Sequence, residues 1–111
     1  MDEKQMRDCD EDEFCHNLRM FYSVARSLWR NVKPHLRGVT LGHDASQISV
    51  HCIFDGAIQE EDLEMMDDAS GEVFTDFLQY DVEFSCIRWD YPKNLNEKVL
   101  DVWVFRRYEE Q

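Results

Sequence analysis

The sequence lacks the short motifs that mark most catalytic and metal sites. It has no CxxC pair among its four cysteines, no HExxH spacing among its four histidines and no G-x-S-x-G context around a serine. Its four glycines are isolated, so no glycine-rich phosphate loop is present. We therefore expect a protein that is not an enzyme, with no bound metal and no cofactor.

Long apolar runs are also missing. No stretch approaches the roughly 18 apolar residues that a membrane-spanning helix needs. The first residues, MDEKQMRDCDEDE, are charged and do not fit a secretory signal. Because the cysteines are dispersed as well, we expect a reduced cytoplasmic protein with no membrane partner.

Positive charge is scarce. The 111 residues include 12 Lys and Arg against 24 Asp and Glu, which gives a formal charge of −12. A charge of this sign repels phosphate-rich surfaces, so no nucleic-acid partner is expected, whereas a cationic protein would be attracted. Acidity that serves only solubility is the simpler alternative. The length fits a single domain over residues 1–111, with residues 1–10 expected to be frayed, and does not indicate an oligomeric state.

Hydrophobic periodicity predicts two amphipathic helices and four strands. The first helix ends near Pro34 and the second runs from Gln59 to Leu78, while the strands lie at 36–43, 47–54, 81–89 and 99–106. Hairpins within each strand pair predict an α+β fold in the order αββαββ, with a four-stranded antiparallel sheet and two amphipathic helices. The predicted apolar stripe of the first helix is Phe14, Leu18, Phe21, Ala25, Leu28 and Val32. The predicted stripe of the second is Leu63, Met66, Ser70, Val73, Phe74 and Phe77. The predicted core includes Leu18, Phe21, Leu28, Ile48, Val50, Leu63, Val73, Phe77, Phe84 and Val102.

The second helix also carries a broad carboxylate face opposite its apolar stripe. Such solvated carboxylates are poor general acids, because nothing desolvates one of them enough to raise its pKa toward neutrality. They are well suited to contact a basic protein. The predicted partner-binding residues are Asp55 in the preceding turn, then Glu60, Glu61, Glu64, Asp67, Asp68 and Glu72, with Asp76 at the edge.

A second group of residues has two possible interpretations. If alternate residues of the strands face the helices, then Ile53, Ile87, Trp89, Trp103 and Phe105 lie on the other side of the sheet. Either a helix covers that side or the strand register differs, or these side chains form an aromatic contact patch. Nearby cations are interpreted as internal ion pairs with Asp90, Asp101, Glu109 and Glu110. These cations are Arg88, Lys93, Lys98, Arg106 and Arg107.

Five short segments, in order, carry a resemblance to a known family. They are LRGVTL, IFDGAIQEEDLE, EVFTDF, IRWDYP and WVFRRYE, within residues 32–109. In this order they resemble the immunity proteins encoded beside contact-dependent growth-inhibition toxins and other polymorphic toxins of bacteria.

The resemblance implies that the chain binds the toxin domain of its own cell and neutralises it stoichiometrically, without catalysis. Many such toxins are nucleases with basic substrate clefts, so the implied partner is a basic toxin C-terminal domain. The competing hypothesis is a generic acidic interaction module, or a nucleic-acid mimic that acts on a host factor.

Overall fold

The computed structural model describes residues 9–29 and 31–109, with side chains from residue 15 onward. The chain forms helix α1 (Cys9–Ser27), strands β1 (Leu36–His43) and β2 (Gln47–Phe54), helix α2 (Glu60–Asp76) and strand β3 (Asp81–Arg88). A 3-10 turn (Leu95–Lys98) and strand β4 (Val102–Arg106) follow. The predicted α+β class, with two helices and four strands, is confirmed. Of residues 1–10, predicted to be frayed, Cys9 and Asp10 instead begin α1, and residues 1–8 lie outside the described residues, as do the side chain of Phe14 and the pairing of Glu110.

The sheet is mixed, so the purely antiparallel prediction is wrong. Its strand order is β3-β2-β1-β4, with β1 antiparallel to both β2 and β4, and β2 parallel to β3. The β1–β2 hairpin is as predicted, with His43 opposite Ile48 and Thr40 opposite His51. The β2–β3 pair is parallel because α2 carries the chain back along the sheet before β3 begins, as parallel neighbours require.

The predicted hairpin between β3 and β4 is wrong for a related reason. The two strands form opposite edges of the sheet, so the connection at residues 89–101 has to cross it. This connection is far longer than the usual hairpin loop of about 2–5 residues. Its Leu95 is 3% exposed, and Leu100 donates its backbone N–H to the side chain of Thr40 in β1. The connection therefore covers the side of the sheet that faces away from the helices.

This connection and the strand register explain part of the second aromatic group. Ile53 is fully buried, and Trp103 packs against Gly38 of β1. Phe105, predicted on the same side, instead packs against the core beneath the helices. A register shift between β1 and β4, where Val39 pairs with Phe105 and Thr40 with Trp103, accounts for this difference.

The buried face of each helix overlaps the predicted stripe only in part, since Leu28, Met66, Val73 and Phe77 are buried but Leu18, Leu63 and Phe74 are exposed. The buried residues of α1 are Met20, Ser23, Val24 and Ser27, followed by Leu28 just past its end. Those of α2 are Asp62, Met66, Ala69 and Val73, followed by Phe77. Three predicted core residues are exposed by 41–52%, namely Leu18, Leu63 and Val102. The buried faces include small and polar side chains, so they do not coincide with the most apolar stripe of either helix.

The remaining core predictions agree with the structure. Leu28, Ile48, Val50, Val73 and Phe77 are buried. Phe21 and Phe84 are partly buried and pack against the same cluster.

Two glycines provide a matched test of this packing. A Cβ at Gly38 would lie 2.8 Å from the Trp103 ring and 3.1 Å from the Phe105 carbonyl, whereas one at Gly71 in α2 meets nothing within 4 Å. We expect Gly38→Ala to lower the free energy of unfolding by about 1–3 kcal/mol, because the ring and strand must shift. Gly71→Ala should raise it by about 0.5–1 kcal/mol. Urea denaturation of both variants checks this, and equal effects would contradict the packing described here.

Candidate acidic interface and the network that positions it

Helix α2 begins at a buried carboxylate. The side chain of Asp62 accepts a hydrogen bond from the backbone N–H of Gln59 at 2.8 Å and contacts the ring of His35 at 2.8 Å. Burial by itself would raise the pKa of Asp62, but the hydrogen bonds from His35 and Gln59 outweigh it and hold the pKa below its ordinary value. Asp62 is therefore charged at neutral pH, and it fixes where the helix starts and which face it turns outward.

The predicted carboxylate face does point outward. Its six members, all exposed, are Glu60, Glu61, Glu64, Asp67, Asp68 and Glu72. Glu61 pairs with Lys33 at 2.8 Å. Within the described part of the chain, the other five carboxylates have no hydrogen-bond or ion-pair partner. This leaves a row of solvated negative charge along three turns of helix.

Asp55 and Asp76, the two ends of the predicted site, are engaged internally. Asp55 pairs with Arg107 at 3.1 Å and accepts the backbone N–H of Tyr91 at 3.2 Å. Asp76 accepts hydrogen bonds from Ser23 at 2.6 Å and Arg26 at 2.7 Å, which tie the end of α2 to α1. Both carboxylates thus hold structural elements together, unlike the free carboxylates between them.

A shallow groove runs along one flank of α2. It lies between the helix and edge strand β3 and has a volume of about 250 Å³. Leu63, Met66, Val82 and Phe84 give it apolar walls, and Asp67 and Glu83 also line it. Leu63 and, further along α2, Phe74 are 52% and 46% exposed. Apolar surface therefore borders the carboxylate face.

Three of the five segments that carry the family resemblance come together around a buried arginine, Arg37, which the sequence analysis did not identify. Arg37 is 1% exposed, and its guanidinium donates to both carboxylate oxygens of Glu109, at 2.7 and 2.9 Å. It also donates to the carbonyls of Trp89 at 2.7 Å and Lys93 at 2.8 Å. Hydrogen bonding to Arg37 holds the pKa of Glu109 below its ordinary value against the opposing effect of burial. A lone arginine in an otherwise apolar strand was the one sequence signal for this network.

Arg107 extends the network toward α2. It pairs with Glu109 at 3.0 Å and Asp55 at 3.1 Å, and it donates to the carbonyl of Pro34 at 2.7 Å. Asp90 accepts the backbone N–H of Gly56 at 2.8 Å, next to Asp55. The turn that leads into α2 is thus fixed by residues from two other segments, the β3–β4 connection and the chain after β4.

The cations of strands β3 and β4 only partly follow the predicted ion pairs. Arg88 pairs with Asp90, and Arg107 with Glu109, as expected. Lys93 and Lys98 instead lie over the ring of Trp89 at 4.7 and 4.2 Å, and Arg106 lies over Trp103 at 5.2 Å. No carboxylate partner of Lys93, Lys98 or Arg106 is present within the described residues. The molecule therefore has a cationic aromatic surface on the side of the sheet away from the helices.

Neither a metal site nor a membrane helix is evident in the described chain. Over residues 15–29 and 31–109, no three His, Cys, Asp or Glu side chains lie close enough to hold a metal ion. No helix of the described residues is both long and apolar enough to cross a bilayer.

The network predicts a specific pH dependence. Glu109→Gln should lower the free energy of unfolding by about 3–5 kcal/mol at pH 7, because it leaves the buried Arg37 charge uncompensated. Since the folded-state pKa of Glu109 is lowered, its contribution is complete above the unfolded value near 4.5 and is lost as pH falls through the lower folded value. Urea denaturation between about pH 7 and pH 3 should therefore show a smaller loss in the variant than in the wild type.

Glu97→Gln is the matched control, because Glu97 is exposed and makes no side-chain bond among the described residues. Its effect should stay within about 0.5 kcal/mol at every pH. Equal pH profiles for the wild type and Glu109→Gln would contradict the assigned role of Glu109.

Comparison with known proteins places this architecture in a family. A search of curated proteins returns no match. The family model described as MafI2 immunity protein matches residues 17–109, which include both strands of the hairpin, all of α2, β3, β4 and the Arg37 network. The match confirms the resemblance to immunity proteins of polymorphic toxins, and it indicates a cognate toxin as the general kind of partner. The chain belongs to the MafI2 immunity protein family.

Proposed function

We propose that the chain neutralises its cognate toxin stoichiometrically by binding a basic surface of the toxin through the outward face of α2. The observation that carries this proposal is a row of five carboxylates that have no hydrogen-bond or ion-pair partner among the described residues: Glu60, Glu64, Asp67, Asp68 and Glu72. Like charges at neighbouring helix positions disfavour the folded chain, and a cationic partner would remove that cost. A nuclease is the favoured toxin, because its substrate cleft already carries cations that bind phosphate.

The groove beside α2 supports the same partner. A lysine or arginine could lay its aliphatic stem along Leu63 and Phe84 while its charged head lies near Asp67 or Glu83. The exposed fractions of Leu63 and Phe74 offer apolar area next to the charges. Charges would then accelerate association, while the apolar contacts would slow release.

A different surface remains as the second candidate. The cationic aromatic surface around Trp89 and Trp103 fits an acidic partner, and its lysines have no carboxylate partner within the described residues.

A generic acidic module that acts on a host factor would also use the α2 face. The gene neighbourhood separates these functions, because an adjacent gene for a large secreted protein with a variable C-terminal domain favours immunity.

Charge reversal on α2 tests the main proposal. We expect Glu64→Lys/Asp67→Lys/Asp68→Lys to fold, because these side chains are solvated, yet to lower protection in cells that express the toxin encoded beside it. Association of the purified proteins should lose one or more decades from a low-salt rate above about 10⁵–10⁶ M⁻¹s⁻¹, and its salt dependence should flatten. Stopped-flow association at several salt concentrations checks this.

Asp81→Lys/Glu97→Lys/Asp101→Lys is the matched control. It changes the net charge equally at three exposed positions that lie outside α2. If the control and the α2 variant slow association equally, only net charge matters. If the α2 variant changes neither affinity nor salt response, the α2 face merely keeps the protein soluble, and the binding surface moves to Trp89 and Trp103.

Truncation of an exposed apolar side chain tests whether apolar contacts slow release of the toxin while charges set the association rate. Phe74→Ala should speed dissociation of the toxin by about 5- to 30-fold, the equivalent of 1–2 kcal/mol, with little change in the association rate. Tyr108→Ala is the control, since Tyr108 is 86% exposed and lies outside α2. Surface plasmon resonance gives both rates, and a Phe74→Ala effect on association alone would contradict the anchoring role.

A further inference from the structure

Two free cysteines face each other across the parallel strand pair. Cys52 in β2 and Cys86 in β3 are register partners, and both side chains pack in the cluster beneath the helices. Neighbouring strands lie about 4.7–4.9 Å apart, within the Cα separation of about 4.4–6.8 Å that disulfides span. The two sulfur atoms can therefore be joined without moving the strands apart.

The two thiols differ in accessibility and acidity. Cys52 is fully buried, whereas Cys86 is half-buried on edge strand β3. Hydrogen bonding from Cys52 lowers the pKa of the Cys86 thiol, although burial and the nearby Asp62 carboxylate oppose this, and the same contact raises the pKa of Cys52. A thiolate reacts with oxidants far faster than a thiol, so Cys86 is the first to react and Cys52 is the thiol positioned behind it.

We propose that Cys86 and Cys52 form a site of oxidative modification, in which a hydroperoxide oxidises Cys86 and Cys52 resolves it to an intramolecular disulfide. The Cys86 thiolate attacks one oxygen of hydrogen peroxide, the O–O bond breaks, and hydroxide leaves to give the sulfenic acid. The Cys52 sulfur then attacks the Cys86 sulfur, the S–O bond breaks, and the Cys52 proton and the sulfenic oxygen leave as water. In sum, two thiols are oxidised by two electrons and one peroxide is reduced to two waters.

The position of this pair gives the modification a structural meaning. The chain between Cys52 and Cys86 contains all of α2, and Asp62 at the start of α2 lies close enough to influence Cys86. A disulfide would therefore close the β2–α2–β3 unit covalently beneath the helix that bears the carboxylate face. The inference does not depend on the proposed function, since it concerns the chemistry of the free protein.

Peptide mapping after peroxide treatment tests the proposal. A Cys9→Ser/Cys15→Ser variant keeps only the pair, and folded protein at low peroxide should lose the mass of two hydrogen atoms and yield a Cys52 to Cys86 crosslink in most molecules. The Cys52→Ala version should instead accumulate a Cys86 sulfenic acid that dimedone captures. In the Cys86→Ser version, dimedone labelling of Cys52 should be at least about tenfold slower than that of Cys86. Circular dichroism confirms that each variant is folded.

The same pair unfolded in guanidinium chloride is the geometric control. Its intramolecular crosslink should form at least about tenfold more slowly than in the folded protein. In the unfolded chain the two thiols meet only when the flexible segment between them closes into a loop. Equal rates in both states, crosslinks between molecules only, or dimedone capture at Cys52 before Cys86 would each overturn the proposal. If the Cys52→Ala variant does not fold, competition between dimedone and crosslinking in the parent pair decides the order of reaction.

Discussion

The buried contact between Arg37 and Glu109 is the interaction on which the remaining architecture depends. A guanidinium in a protein interior is tolerated only when its donors are satisfied, and here four hydrogen bonds of 2.7–2.9 Å do so. Two of the acceptors are backbone carbonyls of the β3–β4 connection, and two belong to the segment after β4. The charge on β1 thereby fixes both segments to the middle of the sheet. Apolar residues would pack at equal or lower cost, but they would not select this one arrangement of loops.

Two chemically different surfaces follow from that arrangement. Because the β3–β4 connection is held across one side of the sheet, both helices pack on the other side. The solvated carboxylates of α2 then lie on the helical side, and the lysines stacked on Trp89 lie on the side of the connection. The formal charge of −12 is thus the sum over a chain that has an acidic surface and a smaller cationic one.

Local patterns predicted the elements, and long-range contacts decided how they assemble. The hairpin of strands 36–43 and 47–54 was predicted from local pattern, and in its turn Asp44 accepts the backbone N–H groups of Ser46 and Gln47, each at 2.9 Å. The placement of β3 and β4 at opposite edges depends on contacts of Arg37 with residues more than 50 positions away, which no local period encodes. The carboxylate face was predictable because charge is periodic in the sequence. The internal engagement of Asp55 and Asp76 was not, because each contact partner comes from a distant element.

The phase of α2 links these constraints to the proposed binding surface. The helix buries Asp62 rather than Leu63, since Asp62 satisfies both the helix start and His35, and this rotation turns Leu63 and Phe74 toward solvent. A helix phased by hydrophobicity alone would bury those two side chains and present only carboxylates. Such a surface would attract cations but retain them weakly, because exposed ion pairs contribute little. By burying one carboxylate, the chain keeps apolar area beside the remaining ones, which is the combination that rapid and lasting association requires.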